Sequence, residues 1–154
     1  MRVSVIGGGS IGPETAAVAE TLGERLAERG HTVVCGGLGG VMAAVCRGAR
    51  ATGGETIGIL PTDDREDANP HVTTPIATGM GHARNALVVM NGDAAVAVDG
   101  ASGTLSEIGL ALAQGRPVAG LDTHVVDGIE TVDSPAAAVE HVERAVDRDD
   151  TGSD

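Results

Sequence analysis

The residues Asp99-Gly100-Ala101-Ser102-Gly103-Thr104-Leu105-Ser106-Glu107 bring small side chains, hydroxyls and one carboxylate into a single short stretch. Ahead of them, Ala94-Ala95-Val96-Ala97-Val98 is a short apolar run of the kind that makes a buried parallel strand. Behind them, Leu105, Ile108 and Leu112 repeat at i, i+3, i+7, the stripe of an amphipathic helix. A strand, a tight turn and a helix are predicted. Such a turn aims unpaired backbone N–H groups and the positive end of the helix dipole at one point, which favours a phosphate. Gly100, Ser102, Gly103 and Thr104 are therefore candidate phosphate-binding residues, and Glu107 falls in the first helical turn beside them. An acid at that position also complements the helix dipole with no chemistry attached.

Two further glycine clusters follow predicted strands. Gly7-Gly8-Gly9-Ser10-Ile11-Gly12 satisfies GxGxxG, but a dinucleotide site also needs an acid at the end of the second strand to hold a ribose hydroxyl. That position reads Cys35-Gly36-Gly37-Leu38-Gly39-Gly40, with no Asp or Glu, and leads into a helix at Val41-Met42. Oxidoreduction with NAD or FAD is disfavoured. Gly8, Gly9, Gly36, Gly37, Gly39, Gly40 and Met42 are instead candidate ligand contacts, since glycine lets a ligand approach backbone. Each cluster alone also has the plainer reading of a tight strand-to-helix turn.

The elements that must position these turns alternate along the chain. Strands are predicted at Val3 to Ile6, Thr32 to Cys35, Thr56 to Leu60, Ala94 to Val98 and Pro117 to Leu121. Helices are predicted on Val18, Leu22 and Leu26, on Val41 and Val45, over His82 to Met90, over Ser102 to Gln114, and on Val139, Val142 and Val146. Repeated strand–helix units imply an α/β, Rossmann-like, three-layer α/β/α domain with a mainly parallel sheet and ligands at the carboxyl ends of its strands. Residues 1–146 form that single nucleotide-binding domain. Thr62 to Pro70 is predicted as a surface loop, and the acidic tail 147–154 as disordered.

Composition narrows the function. The chain has 154 residues, 10 basic against 22 acidic, a net charge of −12 and no aromatic side chain. All the basic residues are arginine. This balance predicts a halophilic protein and opposes nucleic-acid binding, which needs positive grooves and stacking platforms. No apolar run approaches a membrane span, and the first residues enter a strand at once, so a cytoplasmic protein is expected. Cys35 and Cys46 lack CxxC spacing and are predicted to be reduced, buried thiols. His31, His71, His82, His124 and His141 show no ligand spacing, so no metal is expected. His82 is predicted as a solvated loop residue rather than a proton carrier.

Three segments, Cys35 to Met42, Gly81-His82-Ala83-Arg84-Asn85 and Gly100 to Glu107, resemble the SLOG superfamily of Rossmann-like proteins. Within it the chain is most similar to a short, single-domain group related to the molybdenum cofactor carrier proteins and to the LOG-type phosphoribohydrolases. The resemblance runs from about Arg2 to Leu121 and takes in Gly58-Ile59-Leu60-Pro61 and Asn69-Pro70. The phosphoribohydrolases carry a PGGxGTxxE motif and an arginine at the start of an earlier helix. Gly100, Gly103, Thr104 and Glu107 match the first, and Arg84 matches the second. Asp99 and Ala101 depart from the motif, and Asn85 stands where a lysine often follows the arginine. A carboxylate at position 99 opposes a phosphate unless it points away.

The resemblance implies two activities. One is hydrolysis of the N-glycosidic bond of a nucleoside 5′-monophosphate, giving free base and ribose 5-phosphate without a required cofactor. Glu107 would then stabilise the oxocarbenium-like centre or activate water, and Arg84 would hold the phosphate or the base. The alternative is a carrier or sensor that holds a bound nucleotide or molybdopterin unaltered. A third function in the superfamily, single-stranded DNA binding, is opposed by the missing lysines and aromatics. The partner expected is a small phosphorylated ligand, and relatives imply a homodimer or higher homo-oligomer.

Overall fold

Short apolar runs with a two-residue period become strands whose side chains alternate between two helix layers. In the computed structural model, which describes residues 1–152, the strands are β1 (Arg2–Gly7), β2 (Thr32–Cys35), β3 (Thr56–Leu60), β4 (Thr74–Ala77), β5 (Ala94–Val98), β6 (Val118–Leu121) and β7 (Glu130–Val132). The helices are α1 (Pro13–Glu28), α2 (Val41–Ala51), α3 (Arg84–Met90), α4 (Ser102–Ala113) and α5 (Pro135–Thr151). One sheet in the order β4-β3-β2-β1-β5-β6-β7 holds all the strands, every neighbouring pair parallel. The fold is α/β and Rossmann-like.

Alternation is visible strand by strand. Val3 and Val5 of β1, Val33 and Cys35 of β2, and Ala94, Val96 and Val98 of β5 pack into the core shared with α1, α2 and α5. Ile6, Val34, Ala95 and Ala97 face the other way, against Val88 and Val89 of α3 and Ile108 and Ala111 of α4. With no aromatic rings to fill space, the helices close in through glycine. A Cβ on Gly23 of α1 would collide with the Val45 carbonyl of α2, and one on Gly48 of α2 would collide with the Glu20 carbonyl of α1.

Several expectations need correction. Pro117 lies outside β6, although its carbonyl still accepts from Ala95 N–H at 2.9 Å. Proline has no N–H to give a central ladder. The strands β4 and β7 were not legible, being three or four residues long at the two sheet edges, where half the pattern faces solvent. The third predicted helix, His82 to Met90, opens as a 3-10 turn over Gly81–Ala83 and is α-helical only from Arg84. The stripe on α4 is Thr104, Ile108 and Ala111, while Leu105 is 43 % exposed. The loop Thr62 to Pro70 contains a 3-10 turn at Arg65–Asp67, capped by the Asp64 carboxylate.

The acidic tail is also ordered further than expected. Residues 147–151 continue α5, which starts at a Ser134 cap and Pro135 and is anchored by buried Ala138, Val139 and Val142. Once a helix is nucleated, each added residue gains a hydrogen bond at little further cost, so propagation wins over acidic composition here. Residues 153 and 154 lie outside the described residues.

Candidate functional site

Strand order reverses between β1 and β5, and ligands of parallel sheets bind in the crevice at the carboxyl ends beside such a reversal. A cavity of about 220 Å³ sits there, lined by Gly8 and Gly9 after β1, Gly36 after β2, Met42 of α2, Arg84 and Asn85 of α3, and Gly103, Thr104 and Glu107 of α4. Ala101, His82 and the end of β1 at Val5, Ile6 and Gly7 complete it. The sequence candidates Gly37, Gly39, Gly40, Gly100 and Ser102 do not line this cavity.

Gly37, Gly40 and Gly100 shape the turns around it. A Cβ on Gly40, at φ +64°, would strike the Gly8 carbonyl, and the Val41 N–H donates to that carbonyl at 3.0 Å. Glycine at 40 therefore lets the second loop lie directly on the first. Asn69 fixes the loop's outer side, its side-chain N–H donating to the Leu38 carbonyl at 2.9 Å, while Gly37 N–H donates to Cys35 Sγ at 3.4 Å. Gly100, at φ +114°, leaves the space that the Thr104 side chain fills.

The turn from Gly100 to Thr104 is a ring of open donors. Among the described residues, no N–H from Gly100 through Thr104 donates a hydrogen bond; the first paired amide is Leu105 N–H, to the Ala101 carbonyl at 3.1 Å. Thr104 is only 3 % exposed, and its hydroxyl makes no hydrogen bond among the described residues. Unpaired amides at the start of a 12-residue helix suit an anion.

Arg84 is placed differently from a free anion clamp. It is 8 % exposed, and its Nε donates to the Ile59 carbonyl at 2.9 Å, Nη2 to the Gly36 carbonyl at 3.4 Å, and Nη1 to Asn85 Oδ1. Two of its five N–H groups remain for a ligand. Burial pulls the Arg84 guanidinium below its usual pKa, with the Glu107 and Cys35 charges acting in the opposite sense. Glu107 is pushed up to about 7 by burial, against the lowering pull of Arg84. At neutral pH this carboxyl group therefore exchanges a proton readily, as an acid–base group must.

Asp99 and the β6–β7 connection were the least legible parts. The Asp99 side chain, on a backbone at φ +53°, lines a separate cavity of about 460 Å³ with Glu14, Asp122 and Asp133, and takes no part in the Glu107 cavity. The carboxylate at position 99 also lies beside the first glycine turn, its Oδ2 3.3 Å from where a Cβ on Gly8 would stand. Asn85 is 7 % exposed and lines the Glu107 cavity beside Arg84, a second polar side chain ahead of the apolar run Ala86 to Met90, which is the signal that could have singled it out. Thr123 and His124 reach the turn from outside, through Thr123 Oγ1 to the Asp99 carbonyl at 2.7 Å and His124 Nε2 to the Ala101 carbonyl at 2.9 Å. No local pattern marks them, because only the sheet brings them there. Cys35 and Cys46 are buried free thiols with Sγ atoms 3.5 Å apart, and no group of ligating side chains suited to a metal occurs among the described residues.

Comparison with known proteins places this geometry in context. The sequence model of the SLOG cluster4 family matches residues 1–148. An uncharacterized protein of Archaeoglobus fulgidus is 43 % identical over 142 residues, covering 92 % of this chain and 93 % of its own length. The structure of the molybdenum cofactor binding protein from Rippkaea orientalis is similar with a TM-score of 0.89 and 30 % identity, over 94 % of this chain and 96 % of that one. A probable cytokinin riboside 5′-monophosphate phosphoribohydrolase of Oryza sativa is 35 % identical over 112 residues, which is 70 % of this chain but 46 % of the rice protein.

Proposed function

Given that this chain belongs to the SLOG cluster4 family, we propose that it binds a phosphorylated, nucleotide-like ligand and hydrolyses the N-glycosidic bond of a nucleoside 5′-monophosphate. The observation that carries the binding is the run of undonated amides from Gly100 to Thr104 at the start of α4. These donors, with the Thr104 hydroxyl, suit the dianionic 5′-phosphate. Gly8, Gly9, Gly36 and Met42 border the remaining space, where a sugar and base fit against backbone.

Glu107 supports the chemistry. As the bond from the anomeric carbon to the base lengthens, positive charge gathers on that carbon, and a nearby carboxylate stabilises it. The same carboxylate takes a proton from water as the water oxygen bonds to carbon. The base leaves with the electrons of the broken bond and takes up a proton equivalent to the one Glu107 drew from water, which returns Glu107 to its carboxylate form. A group with its pKa near 7 is suited to both halves of that exchange. Arg84 contributes field and support: it ties the Gly36 loop to β3 and leaves two N–H groups for the ligand.

A second reading is a carrier or sensor that holds its ligand unchanged, molybdopterin included. It is favoured by the committed donors of Arg84 and by likeness along nearly the full chain to the molybdenum cofactor binding protein of Rippkaea orientalis. Exposed Ile76, Met80, Met90 and Leu105 support a homodimer or higher assembly in either case. The acidic, lysine-free composition supports a halophilic protein, and two free buried thiols fit a reducing cytoplasm. No helix among the described residues is long and apolar enough to cross a membrane.

The deciding experiment follows free base released from a panel of nucleoside 5′-monophosphates in molar potassium chloride, for the native chain and Glu107→Gln. Release that is lost in Glu107→Gln supports the hydrolase. Tight nucleotide or pterin binding without release, in both proteins, establishes the carrier.

A further inference from the structure

The last residues of β5 and β6 are register partners, Val98 opposite Leu121, and each strand is followed by an aspartate in the left-handed region, Asp99 at φ +53° and Asp122 at φ +48°. Aspartate adopts that conformation in turns more readily than most residues, at a cost of about 1–2 kcal/mol, and the two turns here share it. Together they swing the segment after β6 across the outer side of the turn after β5. The Asp99 N–H donates to the Leu121 carbonyl at 3.1 Å, and the next two side chains complete the contact, Thr123 to the Asp99 carbonyl and His124 to the Ala101 carbonyl. Gly120 makes room: a Cβ there would lie 2.8 Å from the Thr123 methyl.

These two carbonyls belong to the peptides whose nitrogens are Gly100 and Ser102. A trans peptide directs its C=O and its N–H to opposite sides, and the described chain has no cis bond. Holding the carbonyl of Asp99 toward Thr123, and that of Ala101 toward His124 and the Leu105 N–H, therefore turns the N–H groups of Gly100 and Ser102 away from the segment after β6, and both of these N–H groups are among the undonated amides. We propose that Thr123 and His124 are positioning residues that preset the phosphate-binding turn, holding two of its donors on the ligand before the ligand arrives. Donors fixed in advance cost no reorganisation on binding, which raises affinity for the phosphate group alone. This inference rests on the proposed phosphate binding at α4.

The test uses inorganic phosphate as probe, titrated into isotope-labelled full-length chain and followed at the Gly100 and Ser102 amide resonances. Native protein, Thr123→Val, His124→Ala and His124→Gln are compared. Both Thr123→Val and His124→Ala are expected to raise the phosphate Kd about tenfold, the effect of one charge-assisted hydrogen bond lost or misdirected. His124→Gln keeps a side-chain N–H donor and is expected to recover to within about threefold of native. Melting temperatures should stay close to native, since His124 is solvent-accessible and a purely structural role would move stability and not the phosphate Kd. If Thr123→Val does not fold, the His124→Ala and His124→Gln pair decides the matter. Variants that bind phosphate as tightly as native overturn the positioning role while the binding site stands. A native chain whose Gly100 and Ser102 resonances ignore phosphate overturns the binding site itself, and the positioning role with it.

Discussion

Arg84 and Glu107 line one cavity yet form no ion pair among the described residues. The guanidinium is turned toward the carbonyls of Ile59 and Gly36, so it acts on the carboxyl group through space. Burial therefore outweighs attraction, and Glu107 holds its proton up to about pH 7. Contact between the two would have fixed Glu107 as a permanent anion.

That proton has a stability signature. The folded pKa of Glu107, about 7, lies above its unfolded value, so the folded protein binds more protons between about pH 4.5 and 7. Stability from this group is complete below the unfolded pKa and falls as pH rises through 7. Glu107→Gln should remove that decline: its urea midpoint is expected to exceed native at pH 8 and to match it near pH 4. Parallel midpoints for the two proteins across this range would refute the assignment.

Glycine positions separate binding from folding. A side chain at Gly103 meets nothing within 4 Å, so Gly103→Val should fold normally and fill ligand space, raising the Kd for a nucleotide at least tenfold. Gly40 is opposite in kind, with positive φ and the Gly8 carbonyl in the way. Gly40→Ala is expected to lose roughly 2 kcal/mol or more of stability. Thermal unfolding and nucleotide titration of both variants check the contrast.

At the other end of the sheet, Glu143 of α5 receives Arg29 through two hydrogen bonds, at 2.9 and 2.8 Å, and His31 Nε2 at 2.7 Å. The Arg29 hydrogen bond, with His31 and charge attraction, holds the Glu143 carboxyl below its usual pKa. A depressed pKa stabilises above the unfolded value and is lost as pH falls through the folded one. Glu143→Gln should lower Tm by about 2–4 °C at pH 7 and converge with native in strong acid, measured by thermal scans.

Net charge of −12 sets a salt dependence. Self-repulsion among surface carboxylates is screened as ionic strength rises. The unfolding midpoint should climb between 0.1 M and molar potassium chloride, and a midpoint that falls instead would contradict the halophilic reading.

The strands that hold the site were legible because each is a short buried apolar run closed by turn residues, Gly36 after Thr32 to Cys35 and Asp99-Gly100 after Ala94 to Val98. Thr104 and Glu107 fall in one short stretch where a turn meets a helix, but α4 starts at Ser102 and puts Glu107 in its second turn, not the first as expected. Edge strands were not legible, since β4 carries Pro75 and exposes Ile76 and so lacks a buried pattern. Leu105 misled because hydrophobicity alone cannot say which side of α4 faces the sheet; buried Thr104 settles that by sitting under Gly100. The commitment of Arg84 to backbone carbonyls, and the reach of Thr123 and His124, depend on segments distant in sequence and had no local trace.

Strand order also dictates when the site comes into being during synthesis. The strands β1 to β4 emerge first and can pair among themselves, but β1 keeps one open edge until β5 arrives. An open parallel edge invites pairing with another nascent chain. Thr104 and Glu107 follow β5 in the chain, so the strand that covers this edge leaves the ribosome before the residues that would hold a ligand at α4.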